Sequence, residues 1–321
     1  MALAGLGPGD VLVLRALGLG DALTGVAALR GVRRAWPGRR VVLAGPEGIG
    51  RWFVRLGLVD AVVPAVGLDA PLPVGGAGGH VAVNLHGRGP QSHALLRATR
   101  PARLVAFACA EAPHPAADDD VAPAFRDDEH EVARWCRLLA AAGGPCGPAD
   151  LRLTVEPSDD AAGAVLLHPG AASGSRRWPA ERWQELARRL SAAGHRVLVT
   201  GSAGEAELCA EVAVDVGESV AGRHDVPGLA ALVAGARLLV CGDTGVAHVG
   251  TAVGTPSVLL FGPTPPTTWG PVLDVDRHVV LWHGDGTGDP HGAGLDPALA
   301  AVTVDEVAEA AADLLALELS G

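Results

Sequence analysis

Residues 238–271, LLVCGDTGVAHVGTAVGTPSVLLFGPTPPTTWGP, constrain the fold of this chain more than any other stretch. Leu238 to Cys241 is a short unbroken apolar run, the pattern of a strand buried on both faces. Gly242, Asp243, Thr244 and Gly245 turn the chain into a helix that runs through His248 to about Val253, and Pro256 stops it before a second apolar strand, Ser257 to Phe261. A strand, a glycine turn, a helix and a second strand in so few residues are the alternation of an α/β chain. Asp243 or Thr244 is placed to cap the helix, and the backbone amides after them point out of its positive end, where anions bind. Many such turns bind nothing, so spacing alone leaves a phosphate site and a plain scaffold turn both open.

The length of 321 residues suits two domains, and 49% hydrophobic against 19% charged residues describes a globular chain. A formal net charge of -11 argues against a nucleic-acid partner, which needs a basic face. Glycine, proline or charge interrupts every apolar run well short of the ~20 residues that a membrane span requires, and no basic-then-apolar leader opens the chain. A cytoplasmic location is the resulting expectation. Five cysteines without a CxxC pair read as isolated buried thiols in a reducing compartment. All 25 basic residues are arginine, which excludes a Schiff-base or P-loop lysine. The 12 histidines include no HExxH or comparable spacing, so no metal site is expected.

Upstream, Val11 to Arg15 is an apolar strand leading through Gly18 and Gly20 to Asp21, and Leu23, Val26, Ala27, Leu29 and Val32 recur at helical spacing up to Trp36. The loop does not read GxGxxG, so the dinucleotide fingerprint is not met. Asp21 has two readings, a helix cap or a carboxylate held at the carboxyl end of a parallel strand, where open sheets keep their ligands. A further strand, Val81 to Leu85, opens into His86, Gly87 and Arg88; these side chains either grip a polar or anionic substrate or are solvated loop residues. Residues 111–129 read as an exposed loop and 129–142 as an amphipathic helix, with a domain boundary between about 143 and 163. The second half restarts at Val165 to Leu167, followed by HPGAASGSRRWP, small residues closed by Arg176 and Arg177, a composition suited to a diphosphate. Gly201 to Glu205 is another glycine turn; Glu205 either accepts hydrogen bonds from sugar hydroxyls or complements a helix dipole. A Gly-rich loop at 284–294 has no assigned place, and a helix from Val304 to about Leu317 ends the chain. The architecture expected is two Rossmann-like domains with parallel sheets facing a central cleft.

Three segments in order resemble glycosyltransferase family 9, the ADP-heptose:lipopolysaccharide heptosyltransferase-like family of GT-B fold: the N-terminal strand with Gly20-Asp21, HPGAASGSRRWPAERWQELARRL at 168–190, and GDTGVAHVGTAVGTPSVLLFGPT at 242–264 followed by Trp269-Gly270-Pro271. The resemblance implies an acceptor-binding domain at 1–150 and a nucleotide-sugar donor domain at 151–321. It implies inverting, metal-independent transfer of a sugar, heptose above all, from ADP-heptose or another nucleotide-diphospho-sugar to an acceptor hydroxyl, with no cofactor. Asp21 matches the proposed general base. Ser173 and Ser175 fall in the donor-phosphate loop, Arg176 stands where many members have lysine and joins Asp21 as a catalytic candidate, Glu205 matches a donor-contacting glutamate, and Asp243, Thr244, Gly245 and His248 match the donor-binding turn and helix. His86 and Arg88 are the candidates for the acceptor. With base and donor site on different domains, closure is expected to accompany turnover. Partners would be the donor and a glycan, glycolipid or natural-product acceptor, met without a transmembrane segment, a peripheral position at a membrane surface being left open. The competing readings are a nucleotide-sugar epimerase or hydrolase on the same scaffold, and a non-catalytic nucleotide-sugar-binding protein.

Overall fold

The computed structural model describes residues 4–112 and 120–317. Of the 111–129 loop expectation, residues 113–119 lie outside the described residues. The chain divides into two compact units, Met1–Leu151 and Arg152–Gly321.

The first unit contains, in order, β1 (Ala4–Leu6), β2 (Asp10–Leu14), α1 (Leu19–Thr24), α2 (Val26–Ala35), β3 (Arg40–Gly45), α3 (Glu47–Arg55), β4 (Ala61–Pro64), β5 (Val74–Gly76), β6 (Val81–Asn84), α4 (Gln91–Arg97), β7 (Arg103–Val105) and α5 (Glu131–Ala141). Its main sheet is wholly parallel, in the order β4-β3-β2-β6-β7, and β1 pairs with β5 apart from it. Val11 to Leu14 and Val81 to Asn84 are buried throughout, which is why these strands read as continuous apolar runs.

The second unit follows with β8 (Val165–His168), α6 (Ala180–Ala192), β9 (Val197–Val199), α7 (Ala206–Ala213), β10 (Glu218–Ser219), α8 (Val226–Gly235), β11 (Leu238–Gly242), α9 (Gly245–Val253), β12 (Ser257–Leu260), α10 (Pro266–Trp269), β13 (His278–Leu281), α11 (Pro297–Ala301) and α12 (Val304–Leu317). Its six strands, also parallel, run β10-β9-β8-β11-β12-β13. Each unit has its own core: Leu12, Val42, Leu96 and Leu104 among others in the first, and Trp178, Trp183, Leu186, Val240 and Leu314 in the second.

Two local expectations are corrected. The helix read as continuous from Asp21 to Trp36 divides into α1 and α2 at Gly25, where the Arg15 side chain packs against the backbone: a Cβ on Gly25 would stand 2.8 Å from Arg15 Cδ. The cap reading of Asp21 fails as well, while of the two cap candidates before α9 the position falls to Thr244 and not Asp243. Gly18 is the N-cap of α1, with Asp21 inside its first turn, and Thr244 is the N-cap of α9 through its extended backbone, with no side-chain cap bond. Gly250 lets α9 lie on β11, since a Cβ there would sit 2.9 Å from Leu239 Cδ2.

Candidate functional site

In both sheets the first strand has its sequence neighbour on one side and a later strand on the other. β2 lies between β3 and β6, and β8 between β9 and β11. Such switch points open a crevice at the carboxyl ends of the strands, the usual ligand position in open α/β sheets.

In the second unit that edge gathers most of the residues singled out by sequence. Cys241 is in register with His168, so the loop after β8 and the turn after β11 stand side by side. A guanidinium Nη1 of Arg176 donates to the Asp243 carbonyl at 3.3 Å and lies 3.8 Å from the Asp243 carboxylate. Burial raises the pKa of Asp243, against the opposing pull of Arg176 and a hydrogen bond from Thr264 in the loop after β12. Arg177, the second arginine of the loop, turns the other way and donates to the Ala171 carbonyl at 2.8 Å.

Ser173 is the N-cap of the single 3-10 turn that carries Ser175 and Arg176. Ser175 is buried, and its backbone receives the Gly-rich segment that sequence left unplaced: its amide donates to Gly292 O at 3.0 Å and its carbonyl accepts from Asp296 N at 3.3 Å. Gly174 makes the contact possible, because a Cβ there would collide with the Ala293 carbonyl at 1.8 Å. The rest of that segment walls a pocket of about 520 Å³ with Gly262, Pro263 and Asp296.

Glu205 closes the other flank. Its carboxylate accepts from the Ser202 amide (2.8 Å) and hydroxyl (2.7 Å), a capping box that holds it at the head of α7. Gly170 leaves it room, since a Cβ there would stand 2.0 Å from Glu205 Oε1. His168, at the end of β8, faces Glu205 and has its pKa lowered by burial, which keeps the ring neutral beside the carboxylate. The ring of His248, on α9, meets that of Trp269 edge-on at 5.9 Å.

In the first unit the switch point is organised by Arg15, which the sequence reading treated only as the end of a strand. It is 3% exposed and donates to the Asp21 carbonyl (2.5 Å), the Leu85 carbonyl, Thr24 Oγ1 (2.9 Å) and Glu131 Oε1 (3.3 Å). Trp135 covers it at 5.1 Å, and Glu131 in turn accepts from Trp135 Nε1 at 2.6 Å. The carboxylate of Asp21 lies 3.9 Å from the same guanidinium and is 34% exposed, so it stands at the surface of the crevice on a buried cationic base. Nothing in the local sequence marks Arg15, because its partner Glu131 is 116 residues away.

His86 sits at the same edge. Its Nδ1 accepts from the Ala16 amide at 3.1 Å, and burial, helped by Arg15, lowers its pKa to about 4. With Nδ1 occupied as an acceptor, the neutral ring carries its proton on Nε2. Asn84 shapes the loop by accepting from His86 N (3.0 Å) and donating to Gly87 O and Ser92 Oγ (both 2.9 Å). Arg88 is 67% exposed, and its nearest carboxylate, on Asp127, is 3.9 Å away. Among the described residues no three His, Cys, Asp or Glu side chains converge as a metal-ligand group, and no helix is long and apolar enough to cross a membrane.

Comparison with known proteins sets this geometry in a family. Lipopolysaccharide heptosyltransferase 1 of Pseudomonas aeruginosa is 39% identical over 104 residues, 32% of this chain and 29% of that protein. Its Escherichia coli counterpart is 32% identical over 148 residues, 43% of this chain and 46% of that protein. The chain thus spans less than half the length of these curated relatives. The E. coli heptosyltransferase WaaC, solved with ADP, shares the fold with a TM-score of 0.73 over 95% of this chain and 99% of that one, at 20% identity. The family model described as glycosyltransferase family 9 (heptosyltransferase) matches residues 92–287, which include Arg176, Glu205 and Asp243 and leave out Asp21 and His86. With well over half of its length matched, this chain belongs to glycosyltransferase family 9, the heptosyltransferase family.

Proposed function

We propose that this chain transfers a sugar, heptose, from ADP-heptose to a hydroxyl of a glycan, glycolipid or natural-product acceptor, with inversion at the anomeric carbon and without a metal. Family membership supports the reaction class, and the ADP held by WaaC supports the nucleotide. The observation that carries the reading is the Arg176–Asp243 contact at the start of α9, on the switch point of a six-stranded parallel sheet. Arg176, set between a carbonyl and a carboxylate, is oriented before any ligand arrives. Together with the first amides of α9 it offers positive potential where the leaving diphosphate gains charge.

In this mechanism the second unit, Arg152–Gly321, binds the donor. Ser173, Ser175, Arg176, Thr244 and Gly245 meet the diphosphate, Glu205 meets ribose hydroxyls, and Asp243 and His248 meet the remaining polar groups of the donor. The first unit, Met1–Leu151, binds the acceptor, with His86 donating from Nε2 and Arg88 pairing with acidic or hydroxyl groups. The acceptor oxygen attacks the anomeric carbon as the bond to the diphosphate oxygen breaks, and Asp21 takes the acceptor proton. A general base in this role contributes on the order of 10² to 10⁴ in rate.

The test is product analysis with ADP-heptose in the presence and absence of acceptor glycans, on wild type and on Asp21→Asn and Arg176→Ala. Asp21→Asn is expected to lower kcat by at least ~10² while donor affinity is kept, and Arg176→Ala to weaken both. A kcat for Asp21→Asn within about threefold of wild type overturns the base assignment. Donor affinity unchanged by Arg176→Ala overturns the diphosphate placement.

A further inference from the structure

Scattered in sequence, two of the five cysteines meet in space. Cys136, on the buried face of α5, and Cys146 are free thiols with their Sγ atoms 2.7 Å apart. A disulfide bond is about 2.05 Å long, so closure requires a sulfur displacement of under ~1 Å.

The chain builds this approach from both sides. After α5 ends, Gly143 adopts φ +90°, and the amides of Gly143 and Gly144 bond back to Ala140 O (3.1 Å) and Leu139 O (2.8 Å), which reverses the chain onto its own helix. Gly144 then abuts Gly31 of α2: a Cβ on Gly144 would stand 2.1 Å from Gly31 O, and one on Gly31 would stand 2.7 Å from Gly144 O. Farther on, Asp150 is gripped by both guanidinium nitrogens of Arg34 (2.8 and 2.5 Å) and accepts from the Gly147 amide at 3.0 Å. Cys146 is therefore delivered to Cys136 by a segment pinned before and behind it.

The two thiols differ in access and acidity. Cys136 is 7% exposed, whereas Cys146 is half-buried and reachable. The hydrogen bond to Cys136 lowers the pKa of Cys146, with Arg34 acting in the same sense, while the same bond and burial push Cys136 up. By contrast, burial pushes Cys209 up to about 11 and raises Cys241 as well, and neither faces a second thiol.

We propose that Cys136 and Cys146 form a redox-active dithiol site, closed reversibly to a disulfide by a low-molecular-weight disulfide RSSR. The Cys146 thiolate attacks one sulfur of RSSR, forming a mixed disulfide and releasing RS⁻. The Cys136 thiol then gives its proton to a departing thiolate and attacks Cys146 Sγ, expelling the second RS⁻. Two protein thiols lose two electrons, and one RSSR becomes two RSH. Closure fastens residues 142–150 to the helix whose first turn, through Glu131, holds Arg15 beside Asp21. The site does not depend on the activity proposed above.

The test equilibrates the intact protein in reduced and oxidised glutathione mixtures, quenches with acid, alkylates, and maps the tryptic peptides without reduction. Arg134, Arg137 and Arg152 place the two cysteines on separate peptides, 135–137 and 138–152, so a crosslink appears as a joined pair. The expected result is loss of two of the five alkylatable thiols together, this joined pair in the map, and full reversal by dithiothreitol. Cys136→Ser should leave a lasting glutathione adduct on Cys146, and Cys146→Ser should leave Cys136 reduced at every ratio. Five alkylatable thiols throughout, or a glutathione adduct that persists on Cys146 in the wild type, overturns the proposal. The wild-type map decides the matter even if a variant fails to fold.

Discussion

At the scale of single residues, Arg15 holds more of the first unit's crevice than any residue singled out by sequence. Its guanidinium is nearly inaccessible and satisfies two carbonyls, a hydroxyl and Glu131. Arg15→Ala is expected to destabilise the first unit by roughly 1–3 kcal/mol, since the Leu85 carbonyl and Thr24 Oγ1 lose a buried donor while Glu131 keeps Arg134 and Trp135 as partners; denaturant titration measures it. Histidines make a second prediction. His86 and His278 have folded pKa values lowered to about 4, chiefly by burial, against an unfolded value near 6.5. The unfolded chain therefore binds more protons between these values, and stability that is complete above about pH 6.5 is lost as pH falls toward 4. The denaturation midpoint should be flat above about pH 7 and fall between 6.5 and 4, by up to about 3 kcal/mol per group; His86→Gln should flatten part of that slope. Gly170 supplies a third. Gly170→Ala would drive a methyl into the Glu205 carboxylate, and it is expected to weaken nucleotide binding several-fold in calorimetry with little change in thermal midpoint, because the collision falls on the movable end of a side chain.

At the scale of elements, short apolar runs closed by glycine announced β2, β6, β8, β11 and β12, whose residues are almost all buried. Their boundaries follow from local physics: Gly254 ends α9 at φ +83°, and Pro256 follows it. Gly254→Ala is expected to cost ~1 kcal/mol or more, from the left-handed backbone and from contact with Arg152 Nη1; equilibrium unfolding checks it. The break at Gly25 was not legible, because Leu23, Val26, Ala27, Leu29 and Val32 keep helical spacing across it. At that point the side chain of Arg15, the residue after β2, packs against Gly25, and no periodicity count carries that. The cap reading of Asp21 failed for a related reason, while Thr244 does cap α9 but by its backbone and not its side chain. Their residue types favour caps, but Gly18 occupies one cap and the extended backbone of Thr244 suffices at the other.

At the scale of the whole molecule, the two units have separate cores, each assembled from residues of one unit alone. The second unit expressed from Arg152 onward is expected to unfold cooperatively by itself, which circular dichroism on heating would check. By itself the sequence determined the alternation of strands and helices, the α/β class and the glycine turns after β8, β9 and β11. These follow from burial on both faces and from local backbone freedom, which neighbouring residues carry. Only the tertiary structure decided which turns become neighbours. The order β9-β8-β11 sets Arg176 against Asp243 and Glu205 near His168, while β2 next to β6 sets Arg15 against the Leu85 carbonyl and the packing of α5 puts Glu131 behind it. Those pairings join residues far apart in the chain, and their chemistry exists only once strand order and helix packing have brought them together.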